Sequence, residues 1–588
     1  MDNLNIALIL LAGSWLVIAY LNKQGVLERY NISAFGPILM IRTMRGQKLL
    51  SVLARPRRFW KFFGSVGIPM MVIGMVFMFA LIILTDYAML QMLYDNAMPE
   101  PGKYNALQNI FLIPGVNEFI PLVWGAIGLL VTLVVHELAH AVLCKVEGVD
   151  VKSMGALLLA VIPIGGFAEP DEEQLFGTKK DEKSSSDARV NGVDGVSGAD
   201  SAADWAGYDR RRSTRSGSTG SAESIGSAEP AEPVQGVART SRMRILAAGV
   251  MMNFVVALIA FALFFGPVIG GIEVVSDVTV VSVDQNSPAA QAGIEKDMVI
   301  TKVDDTPIRS THDFYRYMVA RPDTPMVLHA KDRETRRTFT ISEQDAAMQS
   351  GVVMWRVVPN SSAADANITE GMTITMINET RINSTTEFIT FLNATVPGQA
   401  VEVFFAENNS TTVTLGSSPD RDCGYMGVVA TTKLEFAGMT IGGYPASERL
   451  HILKNIPTML DRVDGWVLLF ALPFIGFDSN GFSGFGATMQ FHEPVGWAAG
   501  YGTLVFWIAN ALLWIGWINF YAGLFNCLPA VPLDGGHIFK DLIHSLFERV
   551  VSDRGAERIA KTIAVAFAVL ILSSFVFMIF GPAIVHGL

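Results

Sequence analysis

The stretch "VTLVVHELAHAVLCK", residues 131–145, places two histidines and a glutamate inside a run that is otherwise almost entirely apolar. Ionisable groups at membrane depth are costly, so a chain that keeps His136, Glu137 and His140 together there needs them for chemistry. On a helix the two imidazoles lie one turn apart on the same face, where both can reach one zinc ion. Glu137 lies beside them, placed to take a proton from water. The alternative is a pair of packing histidines beside a glutamate, but the spacing favours a metal site.

The composition indicates a polytopic α-helical membrane protein with soluble parts, because 51% of its 588 residues are hydrophobic and only 17% are charged. A membrane-spanning helix needs about 20 predominantly apolar residues. Six runs are long enough, at 4–21, 66–91, 118–145, 243–270, 501–527 and 561–586. The shorter run at 466–477 contains Pro473, which fits a re-entrant or interfacial segment better than a crossing.

Lysine and arginine in the short loops predict the orientation of these helices. The loop between the first two runs is rich in both residues, whereas residues 92–117 contain only Lys103. We therefore expect the first loop in the cytoplasm and the second outside. This orientation places His136 and His140 in the cytoplasmic half of the membrane.

A third metal ligand is expected elsewhere in the chain, because catalytic zinc sites use three protein ligands and one open position. Asp534 in "NFYAGLFNCLPAVPLDGGHIF" is the candidate, just after the run at 501–527. It follows two prolines and precedes Gly535 and Gly536, which break the helix and let backbone approach the site closely. If 466–477 does not cross the membrane, Asp534 lies on the same side as the two histidines.

Two parts of the chain are expected to lie outside the membrane. Residues 177–240 are rich in Ser, Gly, Ala and mixed charge, which predicts a disordered cytoplasmic insertion. Residues 272–417 contain an internal repeat, because 286–314 and 360–388 share 14 of 29 residues at an offset of 74. The second copy carries N-x-Ser/Thr acceptors, as expected of an external surface. They are Asn360, Asn367, Asn378, Asn383, Asn393, Asn408 and Asn409.

Each copy of the repeat resembles the PDZ domains that occur in tandem in bacterial and archaeal membrane proteases. The first copy keeps the sequence motif that recurs in these domains, as "SPAAQAGI". The second copy has Ser362 and Asn367 in place of Pro288 and Gly293. The predicted domains are N-terminal transmembrane helices (1–150), a membrane-associated hairpin (151–176), the insertion (177–240), a fourth transmembrane helix (241–271), two PDZ-like domains (272–346 and 347–432), a linker with the re-entrant or amphipathic segment (433–500) and C-terminal transmembrane helices (501–588).

The motifs together resemble those of the site-2 proteases, intramembrane zinc metalloproteases that cut transmembrane substrates. The resemblance covers most of the chain outside 177–240. The family usually has proline after the glycine of "AAG", where this chain has Val250. The motifs that carry the resemblance are "HELAH" (136–140), "IPIGGFAEPDEE" (162–173), "AAGVMMNF" (247–254) and "NCLPAVPLDGG" (526–536), with the repeat between them.

The resemblance implies a role for each matching residue. Asn526 would orient the substrate strand or stabilise the oxyanion, although a helix C-terminal cap is the simpler alternative. Asn253 and the turn at Gly165–Gly166 would lie near the substrate in supporting roles. The implied zinc ligands are His136, His140 and Asp534, and the implied general base is Glu137.

The implied activity is the hydrolysis of peptide bonds within the transmembrane segments of single-span membrane proteins, with Zn²⁺ as cofactor. The protein would lie in an archaeal or bacterial plasma membrane, in contact with lipid. Its PDZ-like region, outside the cytoplasm, would control access by binding a C-terminus or by excluding bulky ectodomains. Residues 151–168 could supply an edge strand that pairs with unwound substrate. No nucleic-acid partner is expected, and the sequence leaves the oligomeric state open.

Two rival functions belong to other classes. A transporter would use the buried His, Glu and Asp side chains to carry protons or metal ions. It does not explain why these residues fall at metalloprotease spacing beside an "LDGG" turn. An inactive relative would only bind membrane clients, but it predicts a missing catalytic residue, and none is missing.

Overall fold

The computed structural model describes residues 3–27, 29, 32–36, 38–43, 47–109, 112–159, 162–176, 236–320, 325–341, 349–359, 361–406, 409–418, 422–474 and 482–587. Most of the predicted insertion, up to residue 235, lies outside these ranges, and so does the end of the segment at 466–477. The helices are α1 Asn3–Lys23, α2 Gln47–Leu53, α3 Arg57–Tyr94, α4 Leu122–Glu147, α5 Glu172–Phe176, α6 Arg239–Leu263, α7 Pro288–Gln291, α8 Thr311–Ala320, α9 Ser362–Asp365, α10 Thr385–Asn393, α11 Ala446–Met459, α12 Val463–Ala471, α13 Leu504–Asn526, α14 Asp534–Phe547 and α15 Asp553–Val585.

Among the described helices, five are long and apolar enough to cross a membrane: α3, α4, α6, α13 and α15. A π-helical turn extends α6 to Val268. These helices coincide with five of the six predicted crossings, and the chain is a polytopic membrane protein, as predicted. Helix α1 coincides with the run at 4–21, and its crossing stays a prediction.

Helix α12 covers the first half of the segment that was predicted to be re-entrant or interfacial. It has 9 residues, so it is about 14 Å long. That length is less than half of a hydrocarbon core of about 30 Å. Helix α12 alone is therefore too short to cross the membrane, and the re-entrant course of the whole segment stays a prediction.

Helix α6 lies at the centre of the bundle, where it packs against α3, α4, α13 and α14. Its buried face carries small residues, among them Ala247, Ala248 and Gly249. Helices α4 and α13 also approach closely, since a Cβ at Gly128 would lie only 2.6 Å from the carbonyl oxygen of Trp514. Small residues let membrane helices pack with their backbones close together. This close packing fixes the positions of side chains that point between α4, α6 and α13.

The described strands form a four-stranded sheet near the membrane helices, a large sheet in the repeat region and two small two-stranded sheets. The strands are β1 Ile32–Phe35, β2 Ile38–Thr43, β3 Val151–Leu159, β4 Ile162–Pro170, β5 Ile272–Val274, β6 Val278–Val283, β7 Val299–Val303, β8 Thr306–Pro307, β9 Met326–Asp332, β10 Thr335–Ile341, β11 Gln349–Val357, β12 Thr373–Ile377, β13 Thr380–Arg381, β14 Ala400–Phe405, β15 Ser410–Thr414, β16 Gly416–Ser417, β17 Gly424–Tyr425, β18 Val428–Phe436, β19 Met439–Gly443 and β20 His492–Pro494.

The first sheet has four antiparallel strands in the order β1-β2-β3-β4. Strands β3 and β4 form the hairpin that was predicted at 151–176. Strand β4 is the outer strand of this sheet among the described residues, and it packs along helix α4, which carries the H-E-x-x-H motif. An outer strand therefore lies beside the candidate site.

The large sheet runs β10-β9-β7-β6-β19-β18-β11-β12-β14-β15, with β8 beside β7 and β13 beside β12. It carries two hydrophobic cores. The core of the first unit contains residues from 278–341 and, after a long interval, from 434–441. The core of the second unit contains residues from 352–426. The second unit is therefore inserted into the first, between β10 and β19.

The predicted boundaries at 346 and 432 treat the two units as consecutive domains and assign 433–500 to a linker. The structure differs at this point, because Leu434, Phe436, Met439 and Ile441 belong to the core of the first unit. The detectable repeat covers only the first part of each unit, so it does not show where each unit ends. The assignment of both units to PDZ domains stays a prediction.

Candidate metal centre

Three predicted ligands, far apart in the chain, come together at one point between the helices. Asp534 Oδ2 lies 3.3 Å from His136 Nε2 and 3.3 Å from His140 Nε2. The two Nε2 atoms are 3.1 Å apart. Among the described residues, these side chains form one of two groups close enough to hold a metal ion. All three are largely buried, with side chains 13–16% exposed.

The chain turns sharply to bring Asp534 to this point. Helix α13 ends at Asn526, and α14 begins at Asp534 itself. The glycines after Asp534 press against the turn: a Cβ at Gly535 would lie 2.6 Å from the carbonyl oxygen of Leu528. Any larger residue would push α14 away from the turn, so the glycine packing holds the Asp534 carboxylate beside the histidines.

The distances between the three donor atoms fit a zinc ion. In a tetrahedral site with metal–ligand distances of 2.0–2.2 Å, donor atoms lie about 3.4 Å apart. The observed distances of 3.1, 3.3 and 3.3 Å are close to this value. Two neutral imidazole nitrogens and one carboxylate oxygen also match the ligand types that zinc uses at catalytic sites. The residues present therefore fit this ion.

Contacts from α6 set the tautomer of each histidine. Nδ1 of His140 lies 2.8 Å from the carbonyl oxygen of Ile245, so Nδ1 donates its hydrogen there and Nε2 keeps a lone pair. The Asn253 amide lies 3.1 Å from Nδ1 of His136, and its Oδ1 is buried without a hydrogen-bond partner among the described residues. Exchanging the amide N and O lets Oδ1 accept the Nδ1 hydrogen. Both Nε2 lone pairs then face the Asp534 carboxylate.

Gly249 has no predicted role, but it lies directly against both histidine rings. A Cβ at this position would lie 2.7 Å from Cε1 and 2.8 Å from Nδ1 of His136, and closer still to Nε2 of His140. Ile245, Gly249 and Asn253 are four residues apart, so they form one stripe along α6. The signal was present as the glycine of "AAGVMMNF", but a glycine that only provides space carries no chemical pattern of its own.

An ion pair ties α14 to α6 next to the candidate site. Arg242 donates from Nε to Asp541 Oδ2 at 2.8 Å and from Nη2 to Asp541 Oδ1 at 2.6 Å. Both side chains are largely buried, 14% and 10% exposed. A bidentate Arg–carboxylate pair is directional as well as strong. It fixes the orientation of the helix whose first residue is Asp534.

The second group of possible ligands is less suited to a metal. His544, Glu548 and Asp553 lie together where α14 meets α15. Arg239 donates hydrogen bonds to both carboxylates. Because a cation already pairs with both acids, this group is an ion-pair cluster at the ends of three helices.

Comparison with known proteins adds an independent finding. The model of peptidase family M50 matches residues 124–571, which is most of the chain. The chain belongs to peptidase family M50. This is the site-2 protease family, and the predicted resemblance is confirmed.

Two relatives match over shorter stretches. An uncharacterised protein of Methanocaldococcus jannaschii is 33% identical over 181 residues, which is 31% of this chain and 45% of the relative. A protein of Agrobacterium fabrum that carries the name "Putative zinc metalloprotease" is 33% identical over 93 residues, which is 16% of this chain and 24% of the relative. Each match therefore spans less than half of the relative's length.

The remaining predicted site residues of this M50 chain lie at varying distances from the histidines. Glu137 follows His136 on α4 and interacts electrostatically with His140. Asn526 ends α13 and is half-buried, and its side-chain amide has no hydrogen-bond partner among the described residues. Gly165 and Gly166 lie within β4, where their backbones pair with β3. They form part of a strand and not the turn that was expected.

Proposed function

We propose that this protein is an intramembrane zinc metalloendopeptidase that hydrolyses peptide bonds within the transmembrane segments of single-span membrane proteins. One observation carries the proposal. His136, His140 and Asp534, from a membrane-spanning helix and from a turn far along the chain, direct three metal-binding atoms at one point inside the helix bundle. Membership of family M50 supports the same class of reaction.

The residues around this point have separate tasks. The two histidines and Asp534 would hold a zinc ion, which would supply Lewis-acid activation of water and of a peptide carbonyl. Glu137, next to His136 on the same helix, accepts a proton from the attacking water and returns it to the leaving amine. Asn253 and the Ile245 carbonyl hold the histidine rings in the required tautomers.

A transmembrane substrate must be unwound before water can attack it, because the hydrogen bonds of a helix shield its backbone. Strand β4 is suited to hold the unwound segment, since it is an outer strand that lies along α4. Main-chain hydrogen bonds to an outer strand bind an extended peptide without regard to its sequence. Asn526, at the end of α13, is placed to donate from its side-chain amide to the substrate backbone.

The orientation of the protein is part of the proposal. The lysine and arginine distribution supports a cytoplasmic position for the metal centre and an external position for the two repeat units. The two units then lie where the ectodomain of a membrane substrate would approach. Their role in this proposal is to limit access to the site, and the surrounding lipid delivers the substrate by lateral diffusion.

The test uses the purified full chain in detergent with a labelled single-span membrane protein as substrate. Wild type is compared with Glu137→Gln, with wild type treated with a zinc chelator, and with Glu118→Gln as a matched control at an exposed position before α4. Wild type and Glu118→Gln are expected to cut the substrate within its transmembrane segment. Glu137→Gln and the chelated enzyme are expected to leave it whole, and added zinc restores only the chelated enzyme.

The rival functions give different results in the same experiment. A transporter or a scaffold leaves the substrate whole with every variant. Cutting by Glu137→Gln at the wild-type rate removes Glu137 from the mechanism. Bound zinc is measured in parallel, because Glu137→Gln is expected to keep it while losing activity.

A further inference from the structure

The second repeat unit contains seven N-x-Ser/Thr acceptors, and the structure describes five of their asparagines. In an N-linked glycan, Nδ2 of the asparagine bonds to the sugar, and Oδ1 stays a hydrogen-bond acceptor. The folded chain can therefore carry a glycan only where Nδ2 faces solvent and donates no internal hydrogen bond. This requirement divides the five asparagines into two groups.

Asn367, Asn378 and Asn409 meet the requirement. All three are exposed, and none of them donates a hydrogen bond from Nδ2 among the described residues. Asn378 shows that its contacts in the fold are compatible with a glycan. Its Oδ1 accepts a hydrogen bond from Glu402 N at 2.8 Å, which leaves Nδ2 for the sugar.

Asn383 and Asn393 lie in less accessible acceptors. Asn383 is half-buried, its Nδ2 donates to Glu387 Oε2 at 3.3 Å, and its Oδ1 accepts from Ser350 Oγ at 2.8 Å. Asn393 is exposed, but the threonine that completes its acceptor is Thr395, which is 5% exposed. The Thr395 hydroxyl donates to a backbone carbonyl at 2.6 Å. A transferase cannot reach either acceptor in the folded chain without breaking these contacts.

The three accessible asparagines surround one strand, β15. Asn409 directly precedes this strand. Asn367 follows Ala366, whose carbonyl accepts a hydrogen bond from the Thr411 hydroxyl of β15 at 3.4 Å. Asn378 is hydrogen-bonded to β14 at the residue that pairs with the middle of β15. The strand has 5 residues, or about 17 Å, so glycans at the three positions would lie along it.

Strand β15 is an outer strand of the large sheet among the described residues. An exposed sheet edge can pair with another chain, and proteins protect such edges with charge, proline or a cover. The opposite outer strand, β10, carries the exposed side chains of Arg336 and Arg337. Strand β15, "STTVT", has neither charge nor proline. The accessible acceptors therefore surround the edge that lacks other protection.

We propose that Asn367, Asn378 and Asn409 carry N-linked glycans that cover the β15 edge and prevent it from pairing with a second copy of the chain. The proposal rests on the proposed external position of the repeat units. A separate membrane glycosyltransferase would take the sugar from a donor in which a phosphate joins it to a lipid. The bond from Nδ2 to C1 of the sugar forms and the bond from C1 to the phosphate oxygen breaks. Nδ2 releases one proton, and the lipid phosphate leaves as an anion.

The first test locates the sugars on the full chain, purified from the membranes of its native cells and analysed as peptides by mass spectrometry. Sugar is expected at the three asparagines and absent from Asn383 and Asn393. Sugar at either of these two, or its absence from any of the three, overturns the proposal. Glu137→Gln is expected to carry the same glycans as wild type. Loss of peptidase activity with the glycans in place therefore contradicts only the proposed function.

A matched pair of variants separates the adjacent asparagines, because Asn408 uses Ser410 as its acceptor hydroxyl and Asn409 uses Thr411. Thr411→Ala is expected to remove all sugar from the peptide that contains both asparagines. Ser410→Ala is expected to leave that sugar in place. The opposite result places the glycan on Asn408 and overturns the assignment to Asn409.

The second test measures the covering role by light scattering of the full chain in detergent. The triple variant Thr369→Ala, Thr380→Ala and Thr411→Ala removes the acceptors but keeps every asparagine. It is expected to lack the three glycans and to form particles of about twice the wild-type mass or more. The corresponding triple serine variant keeps the acceptors, so it is expected to match wild type in both glycans and mass.

Adding Thr412→Lys to the triple alanine variant places a charge on β15, so it is expected to restore the wild-type mass without restoring the glycans. Three results overturn the covering role. They are wild-type mass in the triple alanine variant, an increased mass in the serine variant, and no effect of the added lysine.

Discussion

Replacing Gly249 with alanine should weaken zinc binding without removing any ligand. The added Cβ would lie 2.7 Å and 2.8 Å from atoms of the His136 ring, whereas carbon contacts are relaxed at about 3.5 Å. The rings must therefore move by about 0.7 Å, and metal–ligand distances tolerate only about 0.2 Å. Overpacking of this kind costs about 1–3 kcal/mol. Bound zinc prevents the rings from moving away, so most of this cost falls on the zinc-bound protein. The zinc affinity should therefore be about 5- to 150-fold lower.

The assay is competition for zinc between the purified protein and a chromophoric chelator in detergent. Gly516→Ala is the matched control, because its Cβ would lie 2.6 Å from the Phe261 ring, and Phe261 lies about three helical turns along α6 from Gly249. Both variants are expected to lower the thermal midpoint of the zinc-free protein, and only Gly249→Ala should lower zinc affinity. An unchanged zinc affinity in Gly249→Ala, or the same loss in Gly516→Ala, would refute the reasoning from ring displacement.

Three further predictions test the supporting contacts. Arg242→Met leaves Asp541 buried without its partner and should lower the stability by about 3–5 kcal/mol. The double variant with Asp541→Leu should recover most of the resulting drop in thermal midpoint, whereas an unchanged midpoint in the single variant contradicts the ion pair. Asn253→Ala should lower zinc affinity about 10- to 100-fold through the loss of orientation of His136, whereas wild-type affinity in the chelator assay argues against that role. Burial lowers the pKa of His492 from 6.5 to about 4, so the unfolded state binds a proton that the folded state does not, and the folded state loses stability as the pH decreases from about 6.5 to about 4. The thermal midpoint should therefore drop less between pH 7 and pH 5 in His492→Gln than in wild type, and an equal drop in both contradicts this role of His492.

The sequence identified the candidate ligands because each carries a local pattern. His136 and His140 stand one helical turn apart in an apolar run, where any ionisable residue is conspicuous. Asp534 stands beside prolines and glycines that no continuous helix would contain. Each pattern follows from the cost of placing polar groups or broken backbone in a membrane, and this cost can be judged from a single segment.

The contacts between segments could not be judged in this way. Arg242 carries no local pattern that predicts a partner, although it forms the buried pair with Asp541. Gly249 leaves room for a neighbouring side chain, and its role depends on which side chain lies opposite it. Both roles arise from the packing of α6 against α4 and α14, which hydropathy does not describe.

The sheet region shows the same limit at a larger scale. The repeat at an offset of 74 located both units, because their first strands and helices kept similar residues. It did not locate β19, which completes the first unit after the second. The segment before Ala437 pairs with β19, whereas the segment before Met426 turns away to pair with β16. This divergence removes the similarity on which an alignment depends.

Helix α6 connects these observations to the site, although it carries none of the predicted metal ligands. Its residues at 245, 249 and 253 lie on one face because they are four apart, and this face meets both histidines. Arg242, three residues before this stripe, reaches α14, which begins at the third ligand. One helix therefore fixes the distance between ligands that come from separate segments. Movement of α6 along its axis would change the histidine contacts and the position of Asp534 together, so the geometry of the metal centre depends on the register of this helix.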